Sequence, residues 1–452
     1  MSAWPEGTLR EVLGCGGTVG LRPVVFTEIS TDTRTLASGA LFVALRGEHF
    51  DGHDHLAAAR DAGSAGAVVR EDTPDVPGLV LFRVPDTLAA YGRLARERRR
   101  GITGPVVAIG GANGKTSTKE MCAAVLRTRF RVHATPANDN NLVGIPKTLL
   151  AAPPDTEALV IEAGASVRGE LARARLLIEP SLSVTTNVAI SHLDGFGSLE
   201  GVLQEELDLL DGVALAIVGT DPPALAERAR ARARRVVTAG LARADYVPQS
   251  ALVDSTGHAT LVVGGHRIRL PLLGQHQAAN AMLAWALARE LGLEPGLVAE
   301  ALRGLSIPGG RGEVIEAGGL TIVHDAYNAN PASFLAVISI ARAMRGTRRL
   351  VFVAGSMREL GPDSARHHAA VAAALVGLEA NLIGAVGDFV PALAPYAARL
   401  GDRLVSAPDA ATMGALLKAR LTGDELVFLK ASRGAALERI LPDLTGQPHP
   451  TH

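Results

Sequence analysis

Residues 105–120 read PVVAIGGANGKTSTKE, and this stretch decides the fold. PVVAIG has the length and β-branched content of a buried strand, glycines at 110, 111 and 114 let the backbone turn sharply, and TSTKE opens a helical pattern running to about residue 130. A strand, a glycine-rich loop and a helix N-terminus in that order cradle an anion, because successive backbone N–H groups and the helix dipole face it. Read this way, Gly111, Ala112, Asn113, Gly114 and Ser117 belong to a phosphate loop. Lys115 neutralises the β- and γ-phosphates and the Thr116 hydroxyl reaches magnesium. Counted from Gly110 the loop is one residue shorter than GxxxxGK[ST], so a variant loop is expected. The bland alternative is a mere strand-to-helix connection. Lysine usage argues against it: Lys115, Lys119, Lys147, Lys418 and Lys430 are the five lysines among 45 Lys and Arg. Where a positive charge alone would serve, this chain uses Arg, so a lysine at 115 marks a need for a compact ammonium.

Working outward, apolar runs at ALVIEAG (158–164), SLSVTTN (181–187) and VALAIVG (213–219) predict a mostly parallel sheet covered by helices. Gly264-Gly265 between ATLVV and HRIRL predicts a hairpin. Residues 275–304 are helical in pattern, the Arg/Ala stretch 226–235 reads as a solvated helix, and Pro308-Gly309-Gly310 breaks the chain. The last 140 residues repeat the alternation at TIVHDAY, RLVFVAG, LIGAVGD and ELVFLKAS. A second doubly wound sheet is expected there, with ligand-binding residues just past its carboxyl strand ends. Before the loop, apolar runs at 41–45, 67–69 and 79–82 with an Ala-rich helical stretch at 56–62 form a small α/β unit. The basic run Arg96 to Arg100 marks a boundary or a solvated helix end. The 452 residues thus divide into three α/β domains, 1–102, 103–310 and 311–452.

Composition narrows the function. A formal net charge of −1 gives no electrostatic case for nucleic acid or a membrane surface. No apolar run approaches the roughly 18 residues needed to cross a bilayer, and the opening MSAWPEGTLREVLG lacks a signal pattern, so a cytoplasmic protein is expected. Cys15 and Cys122 have no partner spacing and read as packing thiols. Hard ligands do stand out. Glu162 ends one strand and His192 follows the next, so parallel neighbours could deliver both near Thr116 as an Mg²⁺ site. Singly, either would be a cap or a surface residue.

Several motifs carry a resemblance to the Mur ligases of peptidoglycan synthesis over nearly the whole chain. They are GANGKTSTKE, NDNNLVGIPKTLL from Asn138, TTNVAISHLDGFGS, HDAYNANP from His324 and GDELVFLKASRG from Gly423. HDAYNANP is similar to the branch that adds D-alanyl-D-alanine to a UDP-N-acetylmuramoyl-tripeptide. The resemblance implies a UDP-binding N-terminal domain, a central phosphate-loop ATPase domain and a Rossmann-like C-terminal domain, with ATP and Mg²⁺ as cofactors. A monomer is expected. It places Ser30, Thr31, Asp32, Arg34, Arg46, Gly47, Asp51, Gly52 and His53 at the UDP substrate. His276 and Asn280 fall at the adenine side of ATP, with Gln277 in place of an expected Asn. Arg311 and Asp325 fall at phosphate and ribose.

The same resemblance puts Asn138, Asn140 and Asn141 among the substrate residues. Asn328, Asn330, Lys430, Ser432 and Arg433 fall on the dipeptide side. Ala431 replaces a usual Gly and Ser356 an expected Asp. Glu206 stands where most Mur ligases carry a carbamylated lysine, and with Lys115 and His192 it completes the implied catalytic set. The alternatives are another amide ligase of the superfamily with a different acceptor, or a catalytically retired nucleotide-binding protein.

Overall fold

The computed structural model describes residues 3–16, 24–306 and 310–447, so Pro308 and Gly309 of the expected break lie outside the described residues. The chain divides into two compact units. The first comprises Met1–Ile109, Arg129–Gly164 and Glu170–Ser183, the second Gly110–Thr128, Ala165–Gly169 and Val184–His452.

In the first unit, strands Ile29–Ser30, Leu41–Val43, Gly66–Arg70 and Val80–Val84 pair in parallel in that order. Leu41, Val43, Val68 and Phe82 join one core with Leu9, Phe26 and Tyr91, while Phe42, Ala44, Ala67 and Val69 join another. Neighbouring residues point to opposite faces and both faces are covered, which is why these strands read as unbroken apolar runs. Ala158–Glu162 pairs in parallel with Val132–Ala134 on one side and Val106–Gly110 on the other, with Ile109 opposite Glu162.

Helix Thr87–Arg100 starts at an Asp86 cap that accepts from the Leu88 and Ala89 N–H groups at 2.8 and 3.0 Å. Its basic end is docked. Arg96 and Arg100 both pair with Glu179, and Arg99 donates to the carbonyls of Ile178 and Glu179 at 2.7 and 2.6 Å. A partner some eighty residues away in sequence anchors the helix end that the solvated reading left free.

In the second unit, Leu215–Val218 and Val236–Thr238 are parallel, and Ser250–Val253, His258–Val263 and His266–Leu273 form an antiparallel sheet. Its second turn is Gly264-Gly265, both at positive φ as that hairpin requires. The helical stretch expected at 275–304 is two helices, Gln275–Glu290 and Pro295–Arg303. Glu294 caps the second by accepting from Gly296 and Leu297 N–H. The stretch 226–235 is a correction. Its helix, Pro223–Ala229, stops early, and Arg232 turns to Asp208 and Asp211.

The last sheet has the order Glu313–Ala317, Leu320–Asp325, Leu426–Lys430, Leu350–Ala354, Leu382–Val386, Leu404–Ala407, parallel after an antiparallel first pair. Leu350, Phe352 and Phe428 pack on one face and Val351, Val353, Val427 and Leu429 on the other. Asp325 and Ala354 both lie opposite Lys430 in the register. The segments leaving these three strands, 326–330, 355–360 and 431–433, therefore start from one row at the carboxyl edge, where a doubly wound sheet places its ligands.

Candidate active site

The phosphate loop is built by close approach. Gly111 has φ +118, and a Cβ there would run into the Thr186 side chain and its N–H. Gly114 has φ +79, and a Cβ there would meet the Asn280 carboxamide at 2.7 Å. Only glycine fits either place. Helix Lys115–Leu126 starts directly after it, with Thr116 and Ser117 buried in its first turn. Asn113 is tied down along its backbone. Its N–H donates to Asn187 Oδ1 at 3.2 Å and its carbonyl accepts from Thr186 Oγ1 at 2.6 Å and Asn187 Nδ2 at 3.0 Å. Thr186 and Asn187 were visible in the TTN motif, but nothing in the sequence says which loop they brace. Lys115 Nζ donates to the Gly111 carbonyl at 2.6 Å and lies 3.4 Å from that of Ala112.

Glu206 belongs to this loop. It sits on helix Leu199–Asp208, and its carboxylate accepts from the Gly111 N–H at 2.6 Å. Burial pushes its carboxyl up from 4.5 to about 7, against the pull of Lys115 and of the Gly111 N–H. Its neighbour Glu205, about 100° round the helix, accepts instead from Gly169 N–H at 2.7 Å.

His192 lies in the left-handed region at φ 49 and presents Nδ1 to the Glu359 carboxylate, which this contact holds below the usual range. Glu359, itself at φ 61, also accepts through its carbonyl from Leu193 N–H at 2.9 Å. The segment around it is braced: His368 Nε2 accepts from Met357 N–H at 3.0 Å and Ser432 Oγ from Arg358 N–H at 3.0 Å. Ser356 Oγ, at the position where an Asp was expected, accepts from Asp388 N–H at 2.8 Å. Glu359 was missed from sequence, and its signal was its place in GSMREL.

Several residues expected on ligands are paired with one another. Lys430 Nζ donates to Asp325 Oδ2 and to the Asn328 carbonyl, both at 2.8 Å. Arg311 lies 3.9 Å over the Tyr327 ring, with Arg433 at 5.8 Å from it. Asn280 Nδ2 donates to Gln277 Oε1 at 3.2 Å, so the substituted Gln serves as an acceptor, while His276 stays on the exposed first turn of the same helix. Asn330 does not stay with its own sheet: its Nδ2 donates to Asn113 Oδ1 at 2.8 Å.

In the first unit the two expected substrate segments leave adjacent strands. Ser30 Oγ accepts from Asp32 N–H at 3.1 Å, and Asp32 holds Arg34 through Nε at 2.9 Å and Nη2 at 2.6 Å, an exposed pair that leaves Thr31 in the turn. Arg46 bridges to Asp51, whose carboxylate engages His53 Nδ1 at 2.5 Å, and His53 Nε2 accepts from Arg70 N–H at 3.1 Å. Gly52 passes the Leu45 carbonyl so closely that a Cβ would lie 2.8 Å from it, and one on Gly47 would strike Phe50. Asn140 Nδ2 donates to Glu162 Oε1 at 2.8 Å, Asn141 Oδ1 accepts from Gly144 N–H at 2.8 Å, and the Asn138 carbonyl accepts from Asn140 N–H at 2.7 Å. Glu162 falls in this unit, whereas Thr116 and His192 fall in the second. Among the described residues no group of three or more His, Cys, Asp or Glu is gathered to hold a metal. The hydroxyl and the carboxylate are oxygen donors of the kind Mg²⁺ takes, and the imidazole is the less usual ligand.

Doubly wound sheets and a lysine-bearing phosphate loop define a nucleotide-phosphate-binding α/β protein. Three family models match the chain: the Mur ligase family catalytic domain over residues 25–99, the Mur ligase middle domain over 109–288 and the glutamate ligase domain of Mur ligases over 310–433. A UDP-N-acetylmuramoyl-tripeptide–D-alanyl-D-alanine ligase of Bacillus subtilis is 34% identical, the match covering 93% of each chain. The structure of MurF from Acinetobacter baumannii superposes with a TM-score of 0.89 at 26% identity, covering 99% of this chain and 100% of that one. MurF ligase from Thermotoga maritima, solved with ADP, shares the fold with a TM-score of 0.82 at 24% identity, covering 93% and 97%. The chain belongs to the Mur ligase family, and its fold is the three-domain α/β fold of those ligases.

Proposed function

We propose that this chain joins D-alanyl-D-alanine to a UDP-N-acetylmuramoyl-tripeptide, with conversion of ATP to ADP, through an acyl-phosphate. The observation that carries the reading is the intact loop, with Lys115 folded onto it and Glu206 buried against it, in a chain so close to a ligase of that name. A carboxylate is a poor electrophile because its leaving group would be an oxide, and phosphorylation gives it one that departs readily. The work then left to the protein is mostly positioning and charge neutralisation. The Gly111 to Ser117 loop orients the phosphates and Lys115 offsets their charge. Mg²⁺, held by Thr116 and His192, would add charge neutralisation when bound.

In this reading residues 1–102 bind the UDP substrate through the 30–34 and 46–53 segments, aided by Asn138, Asn140 and Asn141. Residues 103–310 bind ATP, with His276 and Asn280 on the adenine side. Residues 311–452 deliver the dipeptide between Asn328, Lys430, Ser432 and Arg433, with Arg311 and Asp325 toward the nucleotide. Among the described residues no helix is long and apolar enough to cross a membrane. The reading takes the protein as a monomer working in the cytoplasm on small soluble substrates.

Purified protein should release phosphate from ATP only when both UDP-N-acetylmuramoyl-tripeptide and D-alanyl-D-alanine are present. Equal turnover with a folate and glutamate would instead assign it to another amide-ligase branch, and no turnover with any acceptor would mark a retired nucleotide-binding protein.

A further inference from the structure

We propose that Asn330 is a positioning residue for the phosphate loop: it fixes the carboxamide of Asn113 and so sets nucleotide affinity from the segment that leaves the C-terminal sheet. This rests on the reading of residues 111–117 as a nucleotide-phosphate site and assigns Asn330 a task other than holding the dipeptide.

Which atom Asn330 points at Asn113 is decided by helix capping. Asn330 is the N-cap of helix Pro331–Met344 in a full capping box. Its Oδ1 accepts from Ser333 N–H at 2.9 Å, and its own N–H donates to Ser333 Oγ at 3.0 Å. Only oxygen can accept from a backbone N–H, so the amide cannot be turned round, and the group directed at Asn113 is Nδ2, a donor. Asn113 must answer with its oxygen, and does, at 2.8 Å. The Asn113 carboxamide is thereby set as well: with Oδ1 committed to Asn330, its Nδ2 is the donor it offers the loop.

The contact is well placed to matter. Asn330 is 4% exposed, so little water competes for the bond. Among the described residues, every other polar contact of Asn113 comes from Thr186 and Asn187 and falls on its main chain, which leaves the side chain to Asn330. Asn113 immediately precedes Gly114, where the backbone turns into the helix bearing Lys115 and Thr116. A helix cap in one sheet's carboxyl-edge segment thus sets a donor in the loop of another.

Serine separates the two tasks of Asn330, because it caps helices about as well as asparagine but has no carboxamide to reach Asn113. The full-length chain is titrated calorimetrically with the β,γ-methylene analogue of ATP and Mg²⁺, as wild type, Asn330→Ser, Asn113→Ala and the double variant. Asn330→Ser should weaken binding about three- to tenfold, the size expected for one lost hydrogen bond. Its Tm should stay within about 2 °C of wild type, its KM for ATP should rise, and its KM for D-alanyl-D-alanine should not. In the Asn113→Ala background the same substitution should have no further effect, since the group it positions is gone.

Independent, multiplying effects in the cycle would overturn the proposal, as would a loss confined to the dipeptide KM. If the serine variant loses Tm, Asn330→Asp, which also keeps a cap, is put through the same cycle. A through-space effect of its charge persists without Asn113 and cancels, so absence of coupling there overturns the proposal too. Failure of the wild type to bind the analogue would instead remove the phosphate-site reading on which the proposal stands, and the proposal with it.

Discussion

Lys115→Arg is expected to lower kcat/KM more than about tenfold, a loss above about 1.4 kcal/mol of transition-state stabilisation, although arginine is the cation this chain otherwise prefers. The geometry gives the reason. The ammonium lies 2.6 Å from the Gly111 carbonyl inside a loop walled by Thr186 at Gly111 and by Asn280 at Gly114. A guanidinium is planar, wider and differently directed, so it must either displace those walls or lie outside the loop. Steady-state kinetics with saturating acceptor substrates measure the effect. A variant that keeps more than about a tenth of wild-type kcat/KM would show that a cation of any shape suffices.

The second large effect concerns Glu206, and it has two opposite parts. Glu206→Gln should cost at least about tenfold in kcat, whereas Glu205→Gln should cost little, because Glu206 accepts from the Gly111 N–H of the loop while Glu205 accepts from the Gly169 N–H. Activity should be unchanged by removing bicarbonate, since a glutamate needs no carbamylation to carry its charge. The same substitution should make the fold more stable. Burial raises the Glu206 carboxyl from 4.5 to about 7, so the folded chain holds that proton more tightly than the unfolded one. The stability this contributes is fully present below about pH 4.5 and is lost as pH rises through about 7. Between pH 5 and 8 the wild type should therefore lose between about 2 and 3 kcal/mol relative to Glu206→Gln, whose amide can still accept from Gly111. Urea unfolding of both proteins at the two pH values measures this. Equal, mild kinetic effects of the two glutamine variants, or rescue by bicarbonate, would show that the charge at 206 is not used. A pH-independent stability difference would show that the group is not buried in its charged form.

What the sequence by itself determined was whatever depends on neighbours in the chain. The strand, loop and helix at 105–120 follow from apolar run length, glycine placement and the Lys-Thr pair. The Gly264-Gly265 turn and the C-terminal strands at 321–327, 349–355, 382–388 and 425–432 follow from local periodicity, and all of them are present. Lysine scarcity was informative for the same reason: Lys115 lies on the loop, while Lys119 and Lys430 are almost wholly buried and ion-paired.

Pairing across long separations was beyond it. The sequence placed Asp325 and Lys430 on different ligands, yet parallel register sets them side by side. It did not show that Glu179 anchors the basic run at 96–100. It did not show the carboxylate of Glu359 against His192, nor the Asn113 carboxamide against Asn330. Each of these contacts joins residues roughly 80 to more than 200 positions apart. Their partners are chosen by strand order, by the φ of single turn residues and by which helix needs a cap, and only the folded chain brings those together.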